Sequence, residues 1–245
     1  MNFPEQFVRT MQRQDLASVM AVHQKMQKLW RAKVEQVVPL DLIEGEIDRA
    51  NFGAIPNLHF VLESGKKIQA ALHAVGRRFS LTDGYFLESG KLPSNYQDLI
   101  ASQPGANAVF FFAVTAGGGL GGQLIKGAID IIASRYQELG SVLTFSPLVG
   151  FDQYMSINDP GVVLGELTHL MLAAYGLLYL MTAKTSDPVV PMLRPLEIGE
   201  RVPFHQENGG KVVKLVSPGV RPDSPYVSAI VDYTPVLLAT RKLLR

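Results

Sequence analysis

Apolar positions recur along the chain with two periods, and each change of period marks a change of element. Residues 7–11 alternate polar and apolar, which predicts a short strand. Asp15 then precedes Leu16, Val19, Met20, His23 and Met26, spaced along one face of a helix. Val37-Val38-Pro39 interrupts the region that follows, and DLIEGEIDRA predicts another short helix. Residues 59–63 and 67–79 are rich in Val, Ile, Leu and aromatics around the turn signal Ser64-Gly65-Lys66, which predicts an antiparallel hairpin. AVFFFAVTA, residues 108–116, is apolar throughout, as a central strand covered on both faces requires. Glycines follow, and Leu124, Ile125, Ala128, Ile129, Ile132 and Tyr136 then share one helical face. Residues 141–148 predict the next strand and a long helix begins near Gly161. Residues 211–216 and 227–238 return to strand patterning.

This order contains no repeat and no linker, so it predicts one α/β domain over residues 1–245. With 47% apolar residues, the chain has enough to bury a sizeable core. Lys plus Arg number 23 against 22 for Asp plus Glu, which leaves no strong field to attract nucleic acid or a membrane surface. The absence of cysteine excludes disulfides, thiolate metal sites and a cysteine nucleophile, and accords with a cytoplasmic location. The opening residues lack the apolar core of a secretory signal. The most membrane-like stretch, residues 162–183, carries Glu166 and His169 near its start and is followed by Lys184. Its uninterrupted apolar part is too short to span a bilayer, and a buried helix is expected.

Candidate chemistry begins at the glycines. A strand, then Gly117-Gly118-Gly119-Leu120-Gly121-Gly122, then a helix offers backbone N–H groups at a helix N-terminus, where donors and macrodipole together favour an anion. Gly117-x-Gly119-x-x-Gly122 formally fits a dinucleotide fingerprint, but it lies mid-chain without the βαβ repeat, and no GxxxxGK[ST] loop occurs. A second feature is TFSP, residues 144–147, where two hydroxyls share a pleat face at the end of an apolar strand. Taken alone, Ser146 before Pro147 is an ordinary turn hydroxyl. His23, His59, His73 and His169 have no metal-ligand spacing, so structural roles are expected for them. Trp30 and the pair Tyr175/Tyr179 are expected in the core.

Gly119, Gly121 and Leu124 fill the pattern Arg/Gln-x-x-Gly-x-Gly/Ala, then two residues, then Leu. In this the chain resembles the acyl-CoA pyrophosphate loop of the GNAT superfamily; FVRTMQRQDLASVMAVH is similar to that superfamily's first strand and helix. The resemblance implies a GNAT fold, a mixed and mostly antiparallel central sheet flanked by helices. It also implies that Val114, Ala116, Gly117, Gly118, Gly119, Leu120, Gly121, Gly122 and Gln123 hold the thioester carrier. Ala116 departs from the pattern's basic or amide residue.

Two further segments resemble the decarboxylase branch. TFSPLVGF is similar to the TLSPIPGF-like segment of malonyl-CoA decarboxylases, whose catalytic serine maps to Ser146, and Phe204-His205-Gln206-Glu207-Asn208-Gly209 is similar to their FHxxNGA, carrying the catalytic histidine onto His205. VVKLVSPGVRPDSPYVSAIVDY resembles the GNAT-like decarboxylases of polyketide synthase loading modules and places Arg221 beside the site by implication. The lack of the malonyl-CoA decarboxylases' N-terminal helical domain favours the loading-module type. The implied activity is decarboxylation of a malonyl or methylmalonyl thioester, carried on coenzyme A or on the phosphopantetheine of an acyl carrier protein, for polyketide or related chain initiation. His205 would be oxyanion donor or proton source, and Ser146 with Thr144 would hold the departing carboxylate. The chemistry calls for no metal or redox cofactor. The rival expectations are a conventional acyltransferase, with Tyr154 or Tyr136 protonating the leaving thiolate, and an inactive docking module.

Overall fold

The computed structural model describes residues 5–30, 40–78, 101–147, 201–216 and 228–245. In chain order these form β1 (Gln6–Thr10), a 3-10 turn (Arg13–Asp15), α1 (Leu16–Trp30), α2 (Leu40–Asn51), β2 (His59–Ser64) and β3 (Lys67–Arg77). There follow β4 (Ala108–Thr115), α3 (Leu120–Arg135), β5 (Ser141–Pro147), α4 (Arg201–Glu207), β6 (Lys211–Val216), β7 (Ser228–Asp232) and α5 (Thr234–Leu243). The strands make one sheet in the order β1-β2-β3-β4-β5-β7-β6. Every pairing is antiparallel except that of β4 with β5, which run parallel with α3 as the crossover between them.

The period-two alternation decides which side each strand residue covers. One face carries Phe60, Leu72, Val109, Phe111, Val142 and Val231 against the buried stripe of α3 and Leu237 of α5. The opposite face is covered by α1 and α2, where Met11, Val19, Ile43 and Ile47 enclose Val61 and Ala71. Phe110, Leu143, Phe145 and Ile230 continue this second face, with Leu42 of α2 packed on them. Arg241 of α5 donates to the carbonyls of Tyr136 and Leu139 at 2.8 and 2.9 Å, tying α5 to the turn that follows α3.

Three expectations change. The strand pattern of residues 227–238 stops at Asp232, because the Asp232 carboxylate accepts the Thr234 N–H at 2.8 Å and Pro235 sits in the first turn of α5, where its missing N–H costs nothing. Met20 lies on the helical face expected to be buried but is exposed, while Val19, His23 and Met26 of the same helix are buried. Residues 201–207, which the sequence pattern leaves unassigned, form α4. The long helix expected near Gly161, with residues 162–183, lies outside the described residues, as do Arg221, Tyr154, His169, Tyr175, Tyr179 and the side chain of Trp30. Among the described residues no helix is long and apolar enough to cross a membrane.

Candidate functional site

The sheet opens where its parallel pair comes apart. β4 and β5 are matched from Ala108↔Ser141 to Phe111↔Thr144 and no further. Each keeps its outer partner beyond that point, β4 pairing with β3 as far as Thr115 and β5 pairing with β7 as far as Pro147. The carboxyl ends of the two strands therefore diverge, which is where open α/β sheets accept ligands. Two local features set the fork. The β3 register jumps from His73↔Ala113 to Ala74↔Phe111, so Phe112 is the extra residue of a bulge that turns β4 away. Thr144 Oγ1 donates to the Phe111 carbonyl at 2.8 Å and clamps the last matched pair. The Thr144 hydroxyl proton is thereby committed to the fork.

Ser146 stands two residues beyond Thr144 on the same pleat face, the face that α3 covers. Its hydroxyl is buried, at 1% relative exposure, and has no hydrogen-bond partner among the described residues. Buried hydroxyls ordinarily find a partner, so an unsatisfied one beside a fork invites a polar ligand atom.

His205 reaches this region on α4, which packs against β5 and β6. What seats α4 is the start of α3. A Cβ on Gly121 would stand 2.8 Å from Cζ of Phe204, and a Cβ on Gly122 would collide with Oδ1 of Asn208. These two glycines thus let the helix bearing His205 lie against the glycine turn. Earlier in the turn, Gly118 and Gly119 have φ of +59° and +80°, and Gly119 caps α3 in the left-handed region. No carboxylate occupies the first turn of α3, so its N-terminal field stays positive. Ala116 and Leu120 pack against the core on the α3 face, and Val114 points the same way. Gln123 is exposed and lines a groove with Gln6, Phe7 and Val8 of β1.

The His205 imidazole is buried, and its Nδ1 lies 2.7 Å from the phenol oxygen of Tyr233, the residue just after β7. Burial pushes the Tyr233 phenol well above its ordinary pKa, so it keeps its proton. Ser146, His205 and the glycine turn are therefore brought to one side of the sheet. Arg221 lies outside the described residues. Tyr233 is the site residue that the sequence did not signal, since nothing in VDYTP distinguishes it from a core tyrosine.

On the other face, three histidines meet beside β4. His23 Nδ1 is 2.8 Å from Thr115 Oγ1, and His23 Nε2 is 3.1 Å from His73 Nε2. His59 lies tilted beside His73 with ring centroids 5.4 Å apart; Phe112 stacks on His73 and meets His59 edge-on. Burial pushes His23 down to about 4 and His59 down to about 3. Burial also lowers His73 well below its ordinary value, reinforced by its two histidine neighbours. All three are neutral at pH 7. Among the described residues no group of three or more His, Cys, Asp or Glu side chains could hold a metal ion.

Solved structures share the fold of this mixed sheet with its helices. The loading GNATL domain of CurA from Lyngbya majuscula matches with a TM-score of 0.57 at 18% identity, over 94% of this chain and 97% of that one. The chain carries the GNAT fold. The GphF GNAT-like decarboxylase in complex with isobutyryl-CoA has the same fold at TM-score 0.56 and 16% identity, over 92% of this chain and 97% of that one. Malonyl-CoA decarboxylase from Rhodopseudomonas palustris matches at TM-score 0.56 and 15% identity; 98% of this chain aligns, to 59% of the length of that enzyme. No protein-family model and no curated protein matches the sequence. The turn before α3 is the part of the site that falls on the sequence pattern GGGLGGQL, residues 117–124.

Proposed function

We propose that this protein decarboxylates a malonyl-type thioester. The observation that carries this reading is the buried hydroxyl of Ser146, without a hydrogen-bond partner among the described residues, on the same sheet face as the imidazole of His205, beside the fork between β4 and β5. GNAT-fold structures that include the CurA loading domain, the GphF decarboxylase and malonyl-CoA decarboxylases support it.

The chain's residues divide the work. The acyl chain enters the fork, with the phosphate end of its carrier at the turn before α3, where backbone N–H groups and the helix field favour an anion. Ser146 Oγ–H donates to the carboxylate and holds it out of the thioester plane. The bond from that carboxylate to the α-carbon then breaks, its electron pair flows into the thioester carbonyl to give an enolate, and CO₂ departs. The Tyr233 O–H keeps its proton and hydrogen-bonds to His205 Nδ1, which places the ring proton on Nε2. His205 Nε2–H delivers that proton to the α-carbon, yielding the acetyl or propionyl thioester, and a solvent proton restores the ring. A positioned acid of this kind contributes about 10² to 10⁴ in rate.

Ala116 bears on the carrier. The loop lacks the basic or amide side chain that grips a pyrophosphate, so the single phosphodiester of a carrier-protein arm suits it better than free coenzyme A. The acyltransferase reading gains nothing from Tyr136. Its hydroxyl donates to the Asn57 carbonyl at 3.2 Å, and it follows the 16 residues of α3, about 24 Å from the glycine turn.

Mass spectrometry of malonyl- and methylmalonyl-thioesters, on coenzyme A and on a carrier protein, tests the reading with wild type and His205→Ala. Loss of CO₂ without any acceptor, abolished by the substitution, is expected. Acylation of an added amine from acetyl-CoA, with malonyl thioesters left intact, would overturn it.

A further inference from the structure

The histidines on the α1 face have one proton arrangement that leaves no buried ring N–H of His23 or His73 without an acceptor. Neutral imidazole carries one N–H, so of the two facing Nε2 atoms of His23 and His73 one donates and the other accepts. If His23 donated, the proton of His73 would sit on its Nδ1, which is fully buried and has no partner among the described residues. A buried orphan N–H is rarer than an under-satisfied buried acceptor. His73 Nε2–H therefore donates to His23 Nε2, and the proton of His23 lies on Nδ1. That N–H donates to Thr115 Oγ1 at 2.8 Å. The Thr115 hydroxyl, occupied as an acceptor, keeps its own proton for another group. Among the described residues its one side-chain partner is His23.

Thr115 is the last residue of β4, four beyond the final β4–β5 pair, and is nearly buried. It belongs to the β4 arm of the fork, across the sheet from Ser146 and His205. We propose that Thr115 donates its hydroxyl proton to the thioester oxygen of the bound acyl group, with His73 and His23 as positioning residues that make it a donor. This rests on the fork being the thioester site. The negative charge of the enolate gathers on that oxygen as CO₂ leaves, so the bond strengthens toward the transition state.

Two measurements test it, and the first is independent of activity. Long-range ¹H–¹⁵N NMR of the histidine rings is expected to show His23 as the Nδ1–H tautomer and His73 as Nε2–H; His23 as Nε2–H would overturn the arrangement. The second uses Thr115→Val, which keeps the shape and removes the hydroxyl, and Thr115→Ser, which restores it. With malonyl-CoA, Thr115→Val is expected to lower kcat roughly 100-fold, while its Kd for acetyl-CoA rises about 10-fold or less and free coenzyme A binds as before. Thr115→Ser is expected to recover most of the rate. Unchanged kcat in Thr115→Val with an active wild type removes Thr115 and leaves the decarboxylase reading standing. A wild type that decarboxylates nothing, yet binds acetyl-CoA with an affinity that Thr115→Val weakens, removes the decarboxylase and keeps the Thr115 contact. If neither acetyl-CoA nor an acetyl carrier protein binds at all, both fall.

Discussion

His205 and Tyr233 share a 2.7 Å hydrogen bond, Nδ1 to phenol oxygen, that joins α4 to the end of β7. Removing the phenol leaves a buried ring nitrogen without this partner and frees the imidazole to change tautomer. Tyr233→Phe is expected to lower kcat about 10-fold with KM little changed, and to cost about 1 kcal/mol of stability. Steady-state kinetics beside a denaturant titration check this. An unaltered kcat would show that the bond serves packing alone.

Gly121 and Gly122 should tolerate no side chain, for a reason unrelated to phosphate. Alanine at 121 puts a methyl 2.8 Å from the Phe204 ring and pushes α4, with His205, away from α3. Overpacking of this kind costs about 1–3 kcal/mol. Gly121→Ala is expected to keep a cooperative unfolding transition while losing most activity. A paired Phe204→Leu substitution, which withdraws the ring, should recover part of it. Full activity in the single variant would mean that the position of α4 is immaterial.

The buried histidines set the response to acid. Their folded-state pKa values lie below the unfolded value, so in the window beneath about 6.5 the unfolded chain takes up protons that the folded one refuses. Their stabilisation is complete above that pH and is lost as the pH falls toward about 4 for His23 and about 3 for His59. Each costs about 1.4 kcal/mol on going from pH 7.5 to 5.5. Urea unfolding at the two pH values should show a clearly lower midpoint at pH 5.5, and a smaller drop in His59→Phe. Equal midpoints would contradict the burial of the cluster.

Arg9 holds the N-terminal strand to the turn before α1. It chelates Asp15 through 2.6 and 2.9 Å bonds and reaches Glu63 at 2.8 Å. Burial works to raise the Asp15 pKa, but the Arg9 contact and the Gln12 N–H outweigh it and hold the carboxyl below its ordinary range. Arg9→Met strands that carboxylate and is expected to cost about 2–3 kcal/mol at pH 7. Adding Asp15→Asn should return part of the loss in thermal melts, and no recovery would place the cost elsewhere.

Much of this was legible in the sequence because one short-range rule decided it. The hairpin turn falls at Gly65-Lys66, both with positive φ, and the unbroken apolar run at 108–115 is indeed the central strand. The α3 stripe is buried as its spacing dictates. The failures share a different cause. α4 is only seven residues long and owes its position to tertiary contact with Gly121 and Gly122, which no periodicity records. The run into α5 looks strand-like because Val227, Ile230, Val231, Val236 and Leu237 are apolar at both periods, and only the Thr234 N–H bond to the Asp232 carboxylate and Pro235 break the tie. Ser146 and His205 were marked by resemblance to decarboxylase segments. Their placement on one sheet face follows from the β5–β7–β6 pairing and α4 packing, which bring together residues 59 positions apart. Tyr233 and the His23–Thr115 contact join elements distant in the chain and left no local trace.

The most direct measurement is the release of labelled CO₂ from carboxyl-labelled malonyl thioester, with no acceptor present, by wild type, Ser146→Ala and His205→Ala. The account predicts sustained release by the wild type and a fall of about 100-fold or more in each variant. Release by either variant at the wild-type rate, or none from the wild type on coenzyme A and carrier-protein substrates alike, would contradict it.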